Sequence, residues 1–219
     1  MVQFRDRKEA GARLAARLRE LGLRQPVVLG IPRGGVSVAA EVAAALNGQL
    51  GVVVARKLGA PGEPEFAIGA VTADGVAYVN ETIVTAIGVS AQYLAAEEAR
   101  QAAEARRRED AFDYQRRPDV RGRDVVVVDD GVATGATAIA AVRSVRAAGA
   151  ARVVLAVPVG PPQTVEELRG EADEVVCLAV EPSFFAVGEF YDDFRPVSDA
   201  EVKAVLDAFA SRTPAAPAS

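Results

Sequence analysis

The chain has 219 residues, half of them apolar and a quarter charged, with a formal net charge of −5 and a pI near 5.0. It carries one cysteine, Cys177, and no histidine. These counts exclude an intrachain disulfide, a Cys/His zinc site, a Ser-His-Asp triad and a histidine general base, so acid–base chemistry falls to Asp, Glu, Lys, Tyr, substrate atoms or water.

The length favours one domain with a substantial core. The acidic balance argues against broad nucleic-acid binding, although a local basic patch stays open. No apolar h-region follows Met1–Lys8 and no apolar run approaches the roughly 18 residues of a membrane span, so the expected compartment is the cytoplasm, away from membranes.

In chain order, residues 6–21 predict a helix with Ala10, Leu14, Leu18 and Leu21 on one face and Gly22 as its C-cap. Pro26–Ile31 is a short apolar run, followed by Pro32-Arg33-Gly34-Gly35. Residues 36–46 predict an Ala-rich helix ended by Asn47-Gly48. Val52–Ala55 predicts a buried strand that ends in Arg56-Lys57. The density of Gly and Pro over Gly59–Glu65 predicts a loop. Phe66–Thr72 and Val76–Val79 predict a hairpin around Asp74-Gly75.

Residues 90–117 predict a long charged helix. Glu97, Glu98, Glu104, Glu109, Asp110 and Asp113 balance Arg100, Arg106, Arg107, Arg108, Arg116 and Arg117. That pattern reads as a solvated helix with i,i+4 pairs, with an RNA-binding face as the lesser alternative.

Val125–Val128 predicts a strand buried on both faces, as in a parallel sheet. A loop leads to a helix over about Thr137–Ala148, closed by Gly149. A strand Val153–Val157, a helix about Thr164–Leu168 and a strand Val175–Val180 complete a βαβαβ order, which implies right-handed crossovers. The expected class is therefore α/β, an open, mainly parallel sheet flanked by helices. Residues 181–197 hold four of the eight phenylalanines, a last helix covers about 198–210, and residues 212–219 read as a disordered tail.

The strongest chemical signal is Val125-Val126-Val127-Val128-Asp129-Asp130-Gly131-Val132-Ala133-Thr134-Gly135-Ala136-Thr137. It delivers two adjacent carboxylates to the carboxyl edge of a sheet, where open α/β folds bind ligands. The Gly-containing loop then enters a helix N-terminus, whose free N–H groups and dipole suit an anion. Thr134 and Thr137 add hydroxyl donors. Carboxylates that accept from hydroxyl groups, beside a phosphate cradle, match a sugar phosphate.

This segment resembles the phosphoribosyl pyrophosphate (PRPP) signature of the type I phosphoribosyltransferases. Pro32-Arg33-Gly34-Gly35 sits where that family places its pyrophosphate loop, which often contains a cis or strained non-proline peptide. Arg56-Lys57 and the following loop sit near the family's mobile loop. The whole chain, including Arg56–Gly62 and Glu65–Val71, also looks like a bacterial group of phosphoribosyltransferases without a defined acceptor. The resemblance implies one domain over 1–211, with a core at 22–180, a helical insertion at 80–118 and a variable hood at 181–197. It implies transfer of ribose 5-phosphate from PRPP to a nitrogen acceptor, a purine-type nucleobase, with release of pyrophosphate.

In that reading Asp129 and Asp130 hold the ribose hydroxyls, directly or through metal-bound water. Ala133, Thr134, Gly135, Ala136 and Thr137 bind the 5-phosphate. Arg33, Gly34, Gly35, Arg56 and Lys57 bind the pyrophosphate, and Mg²⁺ bridges pyrophosphate and sugar oxygens. Asp129, Asp130, Lys57 and Arg33 form the catalytic set. The hood supplies the base pocket through Phe184, Phe185, Val187 and Asp192, with Phe185 as the stacking ring. Ala133 replaces an aspartate of the hypoxanthine–guanine branch, which leaves that proton-transfer role vacant, with Glu63 and Glu65 as substitutes. Members are commonly dimers, so a homodimer is expected. The alternatives are a PRPP- or nucleotide-sensing regulator on the same fold and an enzyme acting on a small amine.

Overall fold

The computed structural model describes residues 3–112 and 118–211. The predicted tail 212–219, and Asp113, Arg116 and Arg117 of the charged helix, lie outside the described residues.

Five parallel strands form the main sheet: β1 (Val27–Gly30), β2 (Gln49–Val52), β6 (Asp124–Val128), β7 (Arg152–Gly160) and β8 (Glu174–Val180), in the order β2-β1-β6-β7-β8. Side chains alternate across a strand, and here both faces are covered. Val126 and Val128 pack with Val28, Val154 and Ala156 under Leu14 and Leu18 of α1 (Arg7–Leu18) and Val38 and Val42 of α2 (Gly34–Leu46). Val125 and Val127 pack on the opposite face with Leu155, Val157 and Ile139, Val142 and Val145 of α5 (Ala136–Ala147), joined by Leu168 of α6 (Pro162–Arg169). All four valines are fully buried, so the unbroken run reflects a strand with no solvent face. Helix 6–21 resolves into α1, capped by the Asp6 carboxylate, and a 3₁₀ turn over Arg19–Leu21 that ends at Gly22 with φ 63°.

A second sheet of three antiparallel strands, β3 (Ala55–Ala60), β4 (Glu63–Thr72) and β5 (Ala77–Val79), differs from expectation. The strand predicted over Val52–Ala55 is divided: β2 ends at Val52 and the chain crosses to the second sheet at Ala55. Gly59–Glu65 is a hairpin rather than a loop. Its turn is Pro61-Gly62, with Gly62 at φ 77°, as a type II turn requires. Register irregularities at Leu58/Gly59 and Gly59/Ala60 absorb the glycine, and Pro64 lies beyond the stretch of β4 that pairs with β5.

This sheet is also covered on both faces. Ala55, Ala70 and Tyr78 meet Ala136 and Ala140 of α5. Leu58, Ile68 and Val71 meet α3 (Glu81–Ala86) and Tyr93, Leu94 and Ala102 of α4 (Ala91–Ala111). The insertion thus comprises two helices. α4 is not simply solvated: Glu97, Gln101, Ala105 and Glu109, four residues apart, form a buried stripe. The ion pairs drawn from Glu97 and Glu104, to Arg100 and Arg107, are i,i+3 rather than i,i+4. The last helix, α7 (Asp199–Ala210), starts at a capping box of Ser198 and Glu201 and packs on α2.

Candidate active site

The site lies where β1 and β6, neighbours in the sheet, release their chains at the carboxyl edge. From β6, Asp129 and Asp130 come out side by side. Both are recessed among protein atoms. Burial raises the pKa of Asp129 well above the ordinary carboxylate value, and the neighbouring Asp130 charge adds to this. Burial raises Asp130 too, against the opposing pull of the Arg7 guanidinium. The Asp130 N–H donates to Oδ1 of Asp129 at 2.8 Å.

From β1, the Pro32–Arg33 peptide is cis and Gly34 and Gly35 open α2. These glycines are needed for close approach between the two loops. A Cβ on Gly34 would lie 1.8 Å from Oδ2 of Asp130, and one on Gly35 would lie 2.7 Å from the Val128 carbonyl oxygen and 3.0 Å from Oδ1 of Asp129. The pyrophosphate-loop candidate and the acidic pair are therefore one packed unit.

The segment after the acidic pair turns at Gly135, φ 75°, into the first turn of α5. Ala133 and Thr134 are exposed, and Thr137 is half-buried. The loop is supported from α6, where the Thr164 hydroxyl donates to the Ala133 carbonyl at 2.7 Å. Exposed loop N–H groups at a helix start form a cradle for an anion.

The structure separates the predicted basic pair. Arg56 shares the α4 face of β3 with Leu58, and its Nε donates to Oε1 of Gln101 at 2.7 Å. Lys57 pairs in register with Ala70 and is exposed on the α5 side, the side of the phosphate cradle. Arg33 directs its Nη1 to Oδ1 of Asp199 at 3.8 Å, at the start of α7.

In the hood, Val187 covers Gly131: a Cβ there would meet its Cγ1 at 2.5 Å. Phe184 stacks on Phe190 at 5.4 Å in the hood's own core, whereas Phe185 is 89% exposed. Asp192 accepts from the Gln3 side-chain amide through Oδ1. Glu63 and Glu65 stand exposed on the β3–β4 hairpin.

Two site residues, Arg7 and Tyr191, have no counterpart in the sequence reading. The Nε of Arg7 donates to Oδ2 of Asp130, its Nη1 donates to the Arg195 carbonyl at 3.0 Å, and its guanidinium lies 3.9 Å from the Phe194 ring centroid. The Tyr191 hydroxyl donates to the Asp130 carbonyl at 2.6 Å, and burial pushes its pKa up. In Asp6-Arg7-Lys8 the arginine looks like any surface charge, and only a contact across 123 positions reveals it.

Among the described residues, no group of three or more Asp, Glu, Cys or His could form a metal cage. Two adjacent carboxylates, one already engaged by Arg7, do fit Mg²⁺, which keeps its waters and shares substrate oxygens. No described helix is long and apolar enough to cross a membrane.

Comparison with known proteins agrees with this geometry. The phosphoribosyl transferase domain model matches residues 3–195. Two Mycobacterium tuberculosis proteins, each named "Putative phosphoribosyl transferase", are 50% identical over 208 residues. Those matches cover 94% of this chain, which spans about half the length of the relatives, 47%. The crystal structure of TT1426 from Thermus thermophilus superposes with a TM-score of 0.82 at 49% identity, covering 95% of this chain and 99% of that one. The AQ2163 protein of Aquifex aeolicus shares the fold, with a TM-score of 0.50 at 17% identity over 80% of this chain and 74% of that one. The chain belongs to the phosphoribosyl transferase domain family.

Proposed function

We propose that this protein transfers ribose 5-phosphate from PRPP to a nitrogen nucleophile of nucleobase type, releasing pyrophosphate. The observation that carries the reading is the packing of Gly34 and Gly35 onto Asp130 and Asp129, which unites hydroxyl acceptors with an anion-binding loop.

Asp129 and Asp130 accept hydrogen bonds from the ribose hydroxyls. Arg7 holds Oδ2 of Asp130 in place for this task. The 133–137 loop binds the 5-phosphate, and the 33–35 loop binds the pyrophosphate with Lys57 from the neighbouring hairpin. The bond from ribose C1 to the pyrophosphate oxygen breaks, its electron pair leaving with pyrophosphate, as the acceptor nitrogen forms the new bond and gives up its proton. Asp129 and Asp130 would hold magnesium, which would supply charge neutralisation at the leaving group. Loss of one such stabilising donor costs about 3 kcal/mol of barrier. Phe185, exposed at the rim of the hood, stacks on the base.

This reading takes the protein to work as a homodimer in the cytoplasm, with Glu63 or Glu65 as candidates for proton transfer. The test is pyrophosphate release from PRPP and Mg²⁺ against purines, pyrimidines and small amines. A signal lost in the Asp129→Asn/Asp130→Asn variant is expected. Turnover that survives in that variant overturns the assignment.

A further inference from the structure

A second cluster of charge lies away from the acidic pair, in a groove of about 460 Å³ between β3 and α4, lined by Arg56, Arg100, Gln101, Ala103, Glu104 and Arg107. Its floor is built from buried side chains. Glu97, 5% exposed, accepts from the Gly59 N–H, the Gln101 amide and Arg100, so its carboxylate is fully engaged. Gln101, 8% exposed, passes that order on by accepting from Nε of Arg56. This lattice fixes the Arg56 guanidinium while its two terminal nitrogens have no hydrogen-bond partner among the described residues.

The cations outnumber the anions left to meet them. Burial lowers the pKa of Arg56, the charge of Arg108 adds to this and that of Glu104 opposes it, and Arg100 and Arg107 lower it further. Arg108 does not line the groove, but its charge acts on Arg56, and its buried Nε has no hydrogen-bond partner among the described residues. Arg107 pairs with Glu104 on the solvent side of the helix, where ion pairs are weak, and Arg100, itself mostly exposed, reaches down to the buried Glu97. Forked guanidinium donors converging from two elements match tetrahedral phosphate oxygens.

We propose that this groove is a second anion site, separate from the acidic pair, which takes the phosphate groups of a small oligophosphate. β3 carries Arg56 on this face and Lys57 on the face toward the phosphate cradle, so a ligand here sits behind the strand that bears Lys57. The inference does not depend on PRPP being the substrate.

The test is calorimetric titration of the full chain with inorganic tripolyphosphate, without and with PRPP and Mg²⁺. Binding that PRPP does not displace is expected, weakened at least tenfold in Arg100→Gln/Arg107→Gln; both side chains are mostly exposed, and the melting midpoint of the variant is checked because Arg100 also serves the buried Glu97. Glu104→Gln removes the competing carboxylate and should tighten binding severalfold, a gain that misfolding cannot imitate. Equal affinity in all three proteins, or full displacement by PRPP, overturns the proposal. So does salt-dependent single-stranded RNA binding lost in the double variant without any tripolyphosphate binding. A chain that binds tripolyphosphate in this way but releases no pyrophosphate from PRPP loses the transferase reading and keeps this site; the reverse result removes this site alone.

Discussion

Arg7, in the first turn of α1, donates from Nε to Oδ2 of Asp130 at 2.7 Å, with both side chains under 15% exposed. The same guanidinium holds the Arg195 carbonyl and covers the Phe194 ring, so one cation joins the acidic pair to the hood. Breaking a buried ion pair leaves a charge uncompensated, at a cost of about 3 kcal/mol. Arg7→Met should lose about that much stability in urea unfolding. Arg7→Lys should recover part of it, since it restores charge but not the fork or the flat stack.

Gly34 is the point of closest approach between the two loops. A methyl group there would overlap Oδ2 of Asp130 at 1.8 Å and the Arg7 Nε at 2.8 Å. Gly34→Ala should weaken PRPP binding at least about tenfold, or roughly 1.4 kcal/mol, by calorimetry. Wild-type affinity in that variant would show that the loop does not hold the pyrophosphate.

The acidic pair is a cost to the fold, because two recessed carboxylates face one arginine. Asp129→Asn, which leaves the Arg7–Asp130 pair intact, should cut pyrophosphate release sharply while the thermal midpoint stays level or rises, the usual trade between a site and its stability. A collapse of the midpoint would instead make Asp129 structural.

The two hood phenylalanines should separate cleanly. Base–aromatic stacking contributes about 1–3 kcal/mol per ring. Phe185→Ala should raise the acceptor KM about tenfold or more with an unchanged melting midpoint, since that ring is exposed. Phe184→Ala should lower the midpoint, because its ring stacks on the buried Phe190. The reverse pattern would move the base pocket.

Asp74 carries a pH signature. Burial alone would raise its pKa, but the Thr72 and Ser144 hydroxyls that donate to it, the latter at 2.8 Å, hold it below the ordinary 3.8. A depressed folded pKa contributes stability above the unfolded value and loses it as pH falls through the folded one. The stability gap between wild type and Asp74→Asn should thus be widest near neutrality and shrink below about pH 4. A gap independent of pH in chemical unfolding would remove the carboxylate from the account.

Much of this was legible locally. The valine run, acidic pair and Thr-Gly-x-Thr turn carry strand, loop and helix in consecutive residues, and the Ala-rich and βαβαβ segments follow the expected order. What failed was non-local. Gly59–Glu65 has loop composition, but pairing with β4 overrides it. Arg56 and Lys57 are adjacent in sequence, so strand alternation sends them to opposite faces. Glu97 and Gln101 read as solvent-facing until β3 covers them, and Arg7 acquires its meaning only from Asp130. Each miss is a partner supplied by another element.

The segment around Phe4 bears on how the protein is made. Its backbone bridges Tyr191 and exchanges hydrogen bonds with Phe190 and Asp192, and the Phe4 ring packs on Tyr191 at 5.4 Å. At about 5–20 residues per second, a ribosome needs on the order of ten seconds or more to place residue 191 after residue 4. During that interval a wholly apolar ring waits without its partner. The last strand of the central sheet ends at Val180, whereas Tyr191, which holds the Asp130 carbonyl, emerges later, so the acidic site is completed only after the strands that carry it.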